Sequence, residues 1–326
     1  MMHVLISDYE NALEADYGLT IDAIEKAMGE QVDARIYAYR SEEELKEVLA
    51  TADGLITGFL EIGEDILSAC PNLRCISVSG VGYSNIDVEA AKRHGVTVCH
   101  IKEYCTQEVA EHAMSLVMAL NRNLLYYQKQ LENQHLWKYD TIEGNMNLSH
   151  QTLAIFGFGK IGRRVATIAK AFGMEVLAVD PYAKDEDAKG LGVRLVGAEE
   201  ALSQADVISN HMNLTEENRG FFHRSTFQKM ERHPIFINVG RGGSVDEAAL
   251  AEALDAGWIR GAGIDVLEEE SPDLAHCKLL GRDHVILTPH SAFYSKESIA
   301  KLQTISGANL GYCLSGQLDC IFEIVR

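Results

Sequence analysis

The sequence predicts an α/β protein built on doubly wound parallel sheets, and three observations carry that expectation. Short apolar runs alternate with amphipathic stretches along most of the 326 residues, the pattern of strands joined by crossover helices. One junction, Thr152-Leu-Ala-Ile-Phe-Gly157-Phe-Gly159-Lys-Ile-Gly162, sets Gly-x-Gly-x-x-Gly between an apolar strand and a helix reading from Arg163 to Phe172. A second strand, Met174 to Val179, follows and ends on Asp180. The length suits two domains better than one and can bury two sizeable cores.

Each part of the glycine stretch has a physical task in holding a dinucleotide. Gly157 allows the tight turn, Gly159 lets backbone approach a pyrophosphate, and Gly162 lets the helix lie close on the sheet. The helix start at Lys160 and Ile161 offers backbone N–H groups and a partial positive charge to phosphates. Asp180 stands where a carboxylate accepts the ribose hydroxyls of NAD and repels the 2′-phosphate of NADP. Strand, glycines, helix, strand and Asp in register predict a Rossmann-like NAD site. The alternative is a glycine-rich turn in some other α/β protein.

Taken in order, residues 1 to about 100 form a small α/β unit without a dinucleotide fingerprint. Val4 to Ser7 reads as a strand, Leu19 to Met28 as a helix and Gln31 to Tyr37 as a strand. Ser41-Glu-Glu-Glu is a capping box opening a helix through Leu49. Gly54 to Thr57, Leu73 to Val78 and Val96 to Cys99 read as strands; Ile66 to Cys70 and Ile86 to His94 read as helices. Between two of these, Ser79-Gly-Val-Gly-Tyr-Ser-Asn-Ile-Asp87 is a glycine loop able to present backbone N–H groups to a carboxylate. A plain turn with an Asn or Asp N-cap explains it equally well.

Glu103 to about Glu132 reads as one long helix, with Val109, Ala113, Leu116, Val117, Leu120 and Leu124 at helical spacing. His112 within it reads as a capping or packing histidine. After the fingerprint, strands are expected at Val193 to Val196, Ala205 to Asn210, Ile235 to Val239, Ala262 to Val266 and Val285 to Leu287. Helices are expected at Ala198 to Gln204, Ser225 to Met230 and Asp246 to Ala256. Residues 152 to 290 thus predict a doubly wound parallel sheet. A last helix from Ser295 to Leu314 and an extended tail complete the chain.

Composition narrows the partners. The net charge of −19 argues against nucleic acid or an anionic membrane. An anionic substrate must then be drawn in by local positive charge. The seven cysteines form no C-x-x-C pair and no zinc-finger spacing, so no metal is expected, and the odd count fits reduced thiols in a cytoplasm. The start, Met-Met-His-Val-Leu-Ile-Ser-Asp, reads as a strand and not a leader. No apolar run reaches membrane-spanning length.

Arg241 and His290 both lie just past strand ends, at the edge where open α/β sheets bind ligands, and Glu270 lies a few residues past a third. At these residues the chain resembles the D-isomer-specific 2-hydroxyacid dehydrogenases. The markers are Gly157 to Gly162 with Asp180, Asn238-Val-Gly-Arg-Gly-Gly-Ser-Val-Asp246, Gly263-Ile-Asp-Val-Leu-Glu-Glu-Glu270 and Leu287-Thr-Pro-His290. Two further stretches, Glu103 to Glu111 and Ala292 to Ser298, look most like the branch near the C-terminal binding proteins.

The resemblance implies a catalytic trio of Arg241, Glu270 and His290. Reducing a 2-oxo acid needs hydride at C2 and a proton on the developing alkoxide, which a protonated His290 would supply. Glu270, five residues after Asp265, would favour the imidazolium beside it. Arg241 would grip carboxylate and carbonyl oxygens together. The resemblance also places Thr106, Val109, His211, Met212, Asn213, Val239, Gly240, Arg241, Asp265 and His290 along the NAD site. Ser79, Gly80 and Val81, with Arg241 and His290, would contact substrate. One departure stands out: Val78 occupies the position where many relatives carry Arg, which counts against a doubly anionic substrate.

The resulting expectation is two Rossmann-like domains, with a cofactor domain (102–293) inserted into a discontinuous, flavodoxin-like substrate domain (1–101 and 294–326). The activity expected is NAD(H)-dependent interconversion of a 2-oxo acid and a D-2-hydroxy acid in a cytoplasmic homodimer. The alternatives are an NAD(H)-sensing, corepressor-like dimer with little catalysis, or the same fold acting on formate or phosphite.

Overall fold

The computed structural model describes residues 1–13, 16–142 and 146–325. The chain divides into two compact units, Met1–Tyr104 with Ser295–Arg326, and Cys105–Tyr294.

In the first unit, β1 (Met2–Asp8), β2 (Val32–Ala38), β3 (Gly54–Thr57), β4 (Cys75–Val78) and β5 (Thr97–Cys99) alternate with α1 (Gly18–Met28), α2 (Glu42–Leu49), α3 (Glu64–Ala69) and α4 (Val88–Arg93). The strands are parallel in the order β2-β1-β3-β4-β5. Alternation along β1 sends Val4 and Ile6 to one face, where they meet Ile24, Leu310 and Leu314. Leu5 goes to the other, among Leu45, Leu49 and Ile76. Both faces are therefore covered, as a parallel sheet requires. At α2, Ser41 caps Glu44 N–H as expected, but the reciprocal half of the box is replaced. The Glu44 carboxylate instead accepts from the Tyr37 hydroxyl at 2.9 Å.

The second unit begins with α5 (Thr106–Asn121) and α6 (Leu124–Gln134). The single long helix expected here is broken, because Asn123 takes the left-handed conformation at φ 53°, which Asn tolerates better than most residues. There follow β6 (Thr152–Phe156), α7 (Lys160–Ala171), β7 (Glu175–Val179), α8 (Asp185–Gly190), β8 (Arg194–Leu195), α9 (Ala198–Gln204) and β9 (Val207–Asn210). The unit continues through α10 (Arg224–Phe227), β10 (Ile235–Asn238), α11 (Glu247–Asp255), β11 (Gly261–Ile264) and β12 (Val285–Leu287). The sheet has seven parallel strands in the order β12-β11-β10-β9-β6-β7-β8; the strand expected at Val193 to Val196 is the two-residue edge strand β8. Helix α8 was not anticipated: only Ala188 in it is buried, so it carries no apolar stripe.

The chain returns to the first unit through α12 (Lys296–Leu314). Its N-terminus is a full capping box, with Ser295 Oγ accepting from Ser298 N–H and Ser298 Oγ from Ser295 N–H, both at 2.9 Å. The tail expected to be extended holds a short turn at Leu318–Cys320, and Ile324 then pairs antiparallel with Cys99. All seven cysteines are free thiols. Among the described residues, no helix is long and apolar enough to cross a membrane.

Candidate active site

The glycine stretch turns sharply between β6 and α7. Gly157 adopts φ +90°, and a Cβ on it would lie 2.7 Å from the His211 carbonyl; a Cβ on Gly162 would lie 2.2 Å from the Gly157 carbonyl oxygen. Glycine is therefore required at both places by the protein's own packing. At Gly159, the N-cap of α7, a Cβ would meet no protein atom within 4 Å. Lys160 is exposed and Ile161 half-buried in the first turn of α7. Asp180 ties the two sides of this turn together. One carboxylate oxygen accepts from Phe158 N–H at 2.7 Å, and the other from Tyr182 N–H at 2.8 Å.

Residues His211, Met212 and Asn213 continue from β9. The His211 ring meets Ser209 Oγ through Nε2 at 2.8 Å, while its Nδ1 is enclosed with no hydrogen-bond partner. Burial pushes the imidazole down to about 3, so the ring is neutral. The residue as a whole keeps some accessibility, but the nitrogen that would take the proton does not.

Beyond β10, Val239 and Gly240 are buried and lead into Arg241. A buried amide network fixes this loop. Asn210 Nδ2 donates to Asn238 Oδ1 at 2.9 Å and to Ser244 Oγ at 2.8 Å, and both Asn238 Nδ2 and Ser244 Oγ donate to the Arg241 carbonyl. The Arg241 guanidinium donates to the Gly240 carbonyl at 2.8 Å. The next residue makes the tightest approach in the unit: a Cβ on Gly242 would lie 1.8 Å from the Leu267 carbonyl oxygen. The loop bearing Arg241 thus packs backbone to backbone on the segment leading to Glu270.

Asp265, at the end of β11, is buried and organises the loop after β12. It accepts from Thr288 Oγ1 at 2.5 Å, Ser291 N–H at 2.9 Å and Ala292 N–H at 2.9 Å, and its own carbonyl accepts from His290 N–H at 2.8 Å. Hydrogen bonds to a charged acceptor contribute roughly 1.5–3 kcal/mol each. They hold His290 at φ 49°, a left-handed position that costs about 1–3 kcal/mol for a residue with a Cβ. Held so, His290 Nδ1 lies 2.7 Å from Glu270 Oε2.

Three strands of one sheet therefore deliver Arg241, Glu270 and His290 to the same edge. Thr106 and Val109 lie in the first turns of α5. That end of the helix faces the same edge, since His112 Nε2 reaches Thr288 Oγ1 at 3.0 Å. Ser79, Gly80 and Val81 belong to the other unit, at the end of β4. There Ser79 N–H donates to the Thr57 carbonyl, and the Gly80 carbonyl accepts from Ile101 N–H. Among the described residues, no group of three or more His, Cys, Asp or Glu is arranged to hold a metal.

Residues 114–292 match the family model described as D-isomer specific 2-hydroxyacid dehydrogenase, NAD binding domain. The chain belongs to this family. Its relatives within it include a D-3-phosphoglycerate dehydrogenase of Methanocaldococcus jannaschii, 36% identical over 299 residues. That match covers 91% of this chain and 56% of the relative. A chloroplastic D-3-phosphoglycerate dehydrogenase of Arabidopsis thaliana is 38% identical over 260 residues, covering 79% of this chain and 41% of its own length. The chain thus spans about half the length of these curated relatives. Among solved structures, D-lactate dehydrogenase from Aquifex aeolicus complexed with NAD and lactic acid superposes with a TM-score of 0.85. It is 27% identical, with 97% of this chain and 96% of that one covered.

Sequence reasoning missed two supports of this candidate site. The amide network of Asn210, Asn238 and Ser244 left a signal in the Asn that ends each of two neighbouring strands. The clamp of Asp265 on residues 288–292 left none, because it depends on contacts across more than twenty residues of intervening chain.

Proposed function

We propose that this chain is a NAD-dependent oxidoreductase that interconverts a 2-oxo acid and a D-2-hydroxy acid. The observation that carries the reading is the 2.7 Å contact between His290 and Glu270 at the strand edge that also bears Arg241. The residues fit the cofactor: Gly157 and Gly162 are demanded by packing, whereas the open space around a Cβ at Gly159 supports close approach of a pyrophosphate to the α7 N-terminus. When bound, the nicotinamide supplies or takes the hydride at C2 of the substrate. Arg241 binds the carboxylate and carbonyl oxygens and orients C2. With Nδ1 turned toward Glu270, His290 Nε2 gives its proton to the alkoxide oxygen, and Glu270 steadies the imidazolium until then. In the oxidative direction neutral His290 takes the hydroxyl proton back. Asp180, which follows β7, would favour the ribose hydroxyls of NAD over a 2′-phosphate.

NADH oxidation against a panel of 2-oxo acids tests this. Tight NADH binding with no turnover of any member would sink the enzyme reading and leave a binding protein. We also infer a homodimer, supported by the exposure of Trp137 (90%) and Tyr139 (85%) just beyond α6. Sedimentation at micromolar concentration checks it, and a monomer would refute it. The seven free thiols support a reducing, cytoplasmic setting.

A further inference from the structure

Helix α5 carries a histidine to the loop that bears His290, and the register of helix on sheet explains how. A Cβ on Gly261 would lie 3.6 Å from Leu120 Cδ2, and one on Gly263 would lie 3.0 Å from Leu116 Cβ. The helix therefore runs against β11, four helical residues to every two of the strand. Four residues of helix rise about 6 Å and two of a parallel strand about 6.6 Å, so the two elements stay in step. One step further on, His112 of α5 comes opposite Asp265. Residues four apart share a helix face, and the absence of a side chain at Gly263 lets that face lie close to the strand.

His112 Nε2 stands 3.6 Å from Asp265 Oδ1, too far for a direct hydrogen bond, but 3.0 Å from Thr288 Oγ1. The threonine hydroxyl has one proton, and Asp265 Oδ1 accepts it at 2.5 Å. Thr288 Oγ1 must then accept from the ring, so Nε2 of His112 carries a proton. That N–H exists in the neutral ring of this tautomer and in the imidazolium alike, so the donor survives either charge state. The chain from His112 through Thr288 ends on the buried carboxylate that also accepts from Ser291 and Ala292 N–H. The carbonyl of the same Asp265 accepts from His290 N–H. Bonds in such a chain polarise one another. Without the ring, the Thr288 hydroxyl loses its donor and is free to rotate away from Asp265.

We propose that His112 is a positioning residue: through Thr288 it fixes the Asp265 carboxylate, and so holds the left-handed turn that sets His290 against Glu270. A packing histidine would need only its bulk. The test therefore contrasts His112→Leu, which keeps bulk, with His112→Gln, whose amide restores a donor near the Nε2 position. The effect on rate rests on the dehydrogenase reading above; the effect on the loop does not, and two readouts separate them. With NADH and the best 2-oxo acid of the panel, His112→Leu should lower kcat by about 10-fold at nearly unchanged KM for NADH. His112→Gln should recover most of that loss. Hydrogen exchange over residues 288–292 reads the loop without turnover. There His112→Leu should speed exchange of the Ser291 and Ala292 amides by about 10-fold, and His112→Gln should not. Thr288→Val, which removes the bridge itself, should do at least as much damage in both readouts, and adding His112→Leu to it should change little more. Unchanged exchange in His112→Leu, or equal losses in the Leu and Gln variants, would overturn the proposal. A parent that turns over no 2-oxo acid would overturn the dehydrogenase reading, and the exchange contrast would then decide the proposal by itself.

Discussion

The five-stranded and seven-stranded sheets both present the carboxyl ends of parallel strands, yet they treat ionisable groups there in opposite ways. At the smaller sheet the acid, Asp8, is buried under three backbone N–H groups, its pKa raised to about 6 by loss of water. At the larger sheet Arg241, Glu270 and His290 stay partly accessible, while the buried acid Asp265 is spent on holding a loop. One edge buries its acid among backbone donors, and the other keeps a carboxylate–imidazole pair partly accessible. The same strand-and-helix grammar yields either, depending on which residues follow the strands.

The sharpest way to break that contrast is His290→Ala, which should lower kcat by about 10³-fold while NADH titration remains nearly unchanged. Equal loss of both would refute its role in proton transfer. Next in size, Gly242→Val should cost more than about 3 kcal/mol, since its first carbon already collides with the Leu267 carbonyl. A thermal melt within a degree or two of the parent would show that the interlock is not as drawn.

The third test sets the two edges against each other through pH. Asp8 has a folded pKa of about 6 against 3.8 when free. The folded state therefore holds the extra proton, and stability falls as pH rises through that window. His211 is the reverse, with about 3 against 6.5, so stability falls as pH drops below 6.5 while the unfolded chain takes up the proton. Relative to the parent, Asp8→Asn should fare better at pH 7.5 than at pH 5, and His211→Gln better at pH 5, each by on the order of 1–2 kcal/mol. Urea denaturation at both pH values reads the two differences, and slopes of the same sign would contradict the assignment. Smallest, Asp180→Ala should weaken NAD relative to NADP by about 10-fold, and it should also loosen the turn at Phe158. An unchanged preference would remove it from the ribose role.

Much of this was legible in the sequence because both sheets are covered on two faces, which makes each strand a short apolar run with turn residues at its ends. The same logic put Arg241, Glu270 and His290 at strand ends before any coordinates. What escaped were features without an apolar pattern or with distant partners. Helix α8 is almost wholly exposed, and the break at Asn123 is a matter of one backbone angle. Asp8 reads as an ordinary turn residue until Gly58 and Phe59, fifty residues on, are folded over it.

The contact of Gly242 with Leu267 carries a lesson for redesign. Because Gly242 and Leu267 meet backbone to backbone, a side chain at Gly242 cannot be accommodated without displacing the segment that leads to Glu270. An engineer, or natural selection, seeking a new substrate would find that position closed.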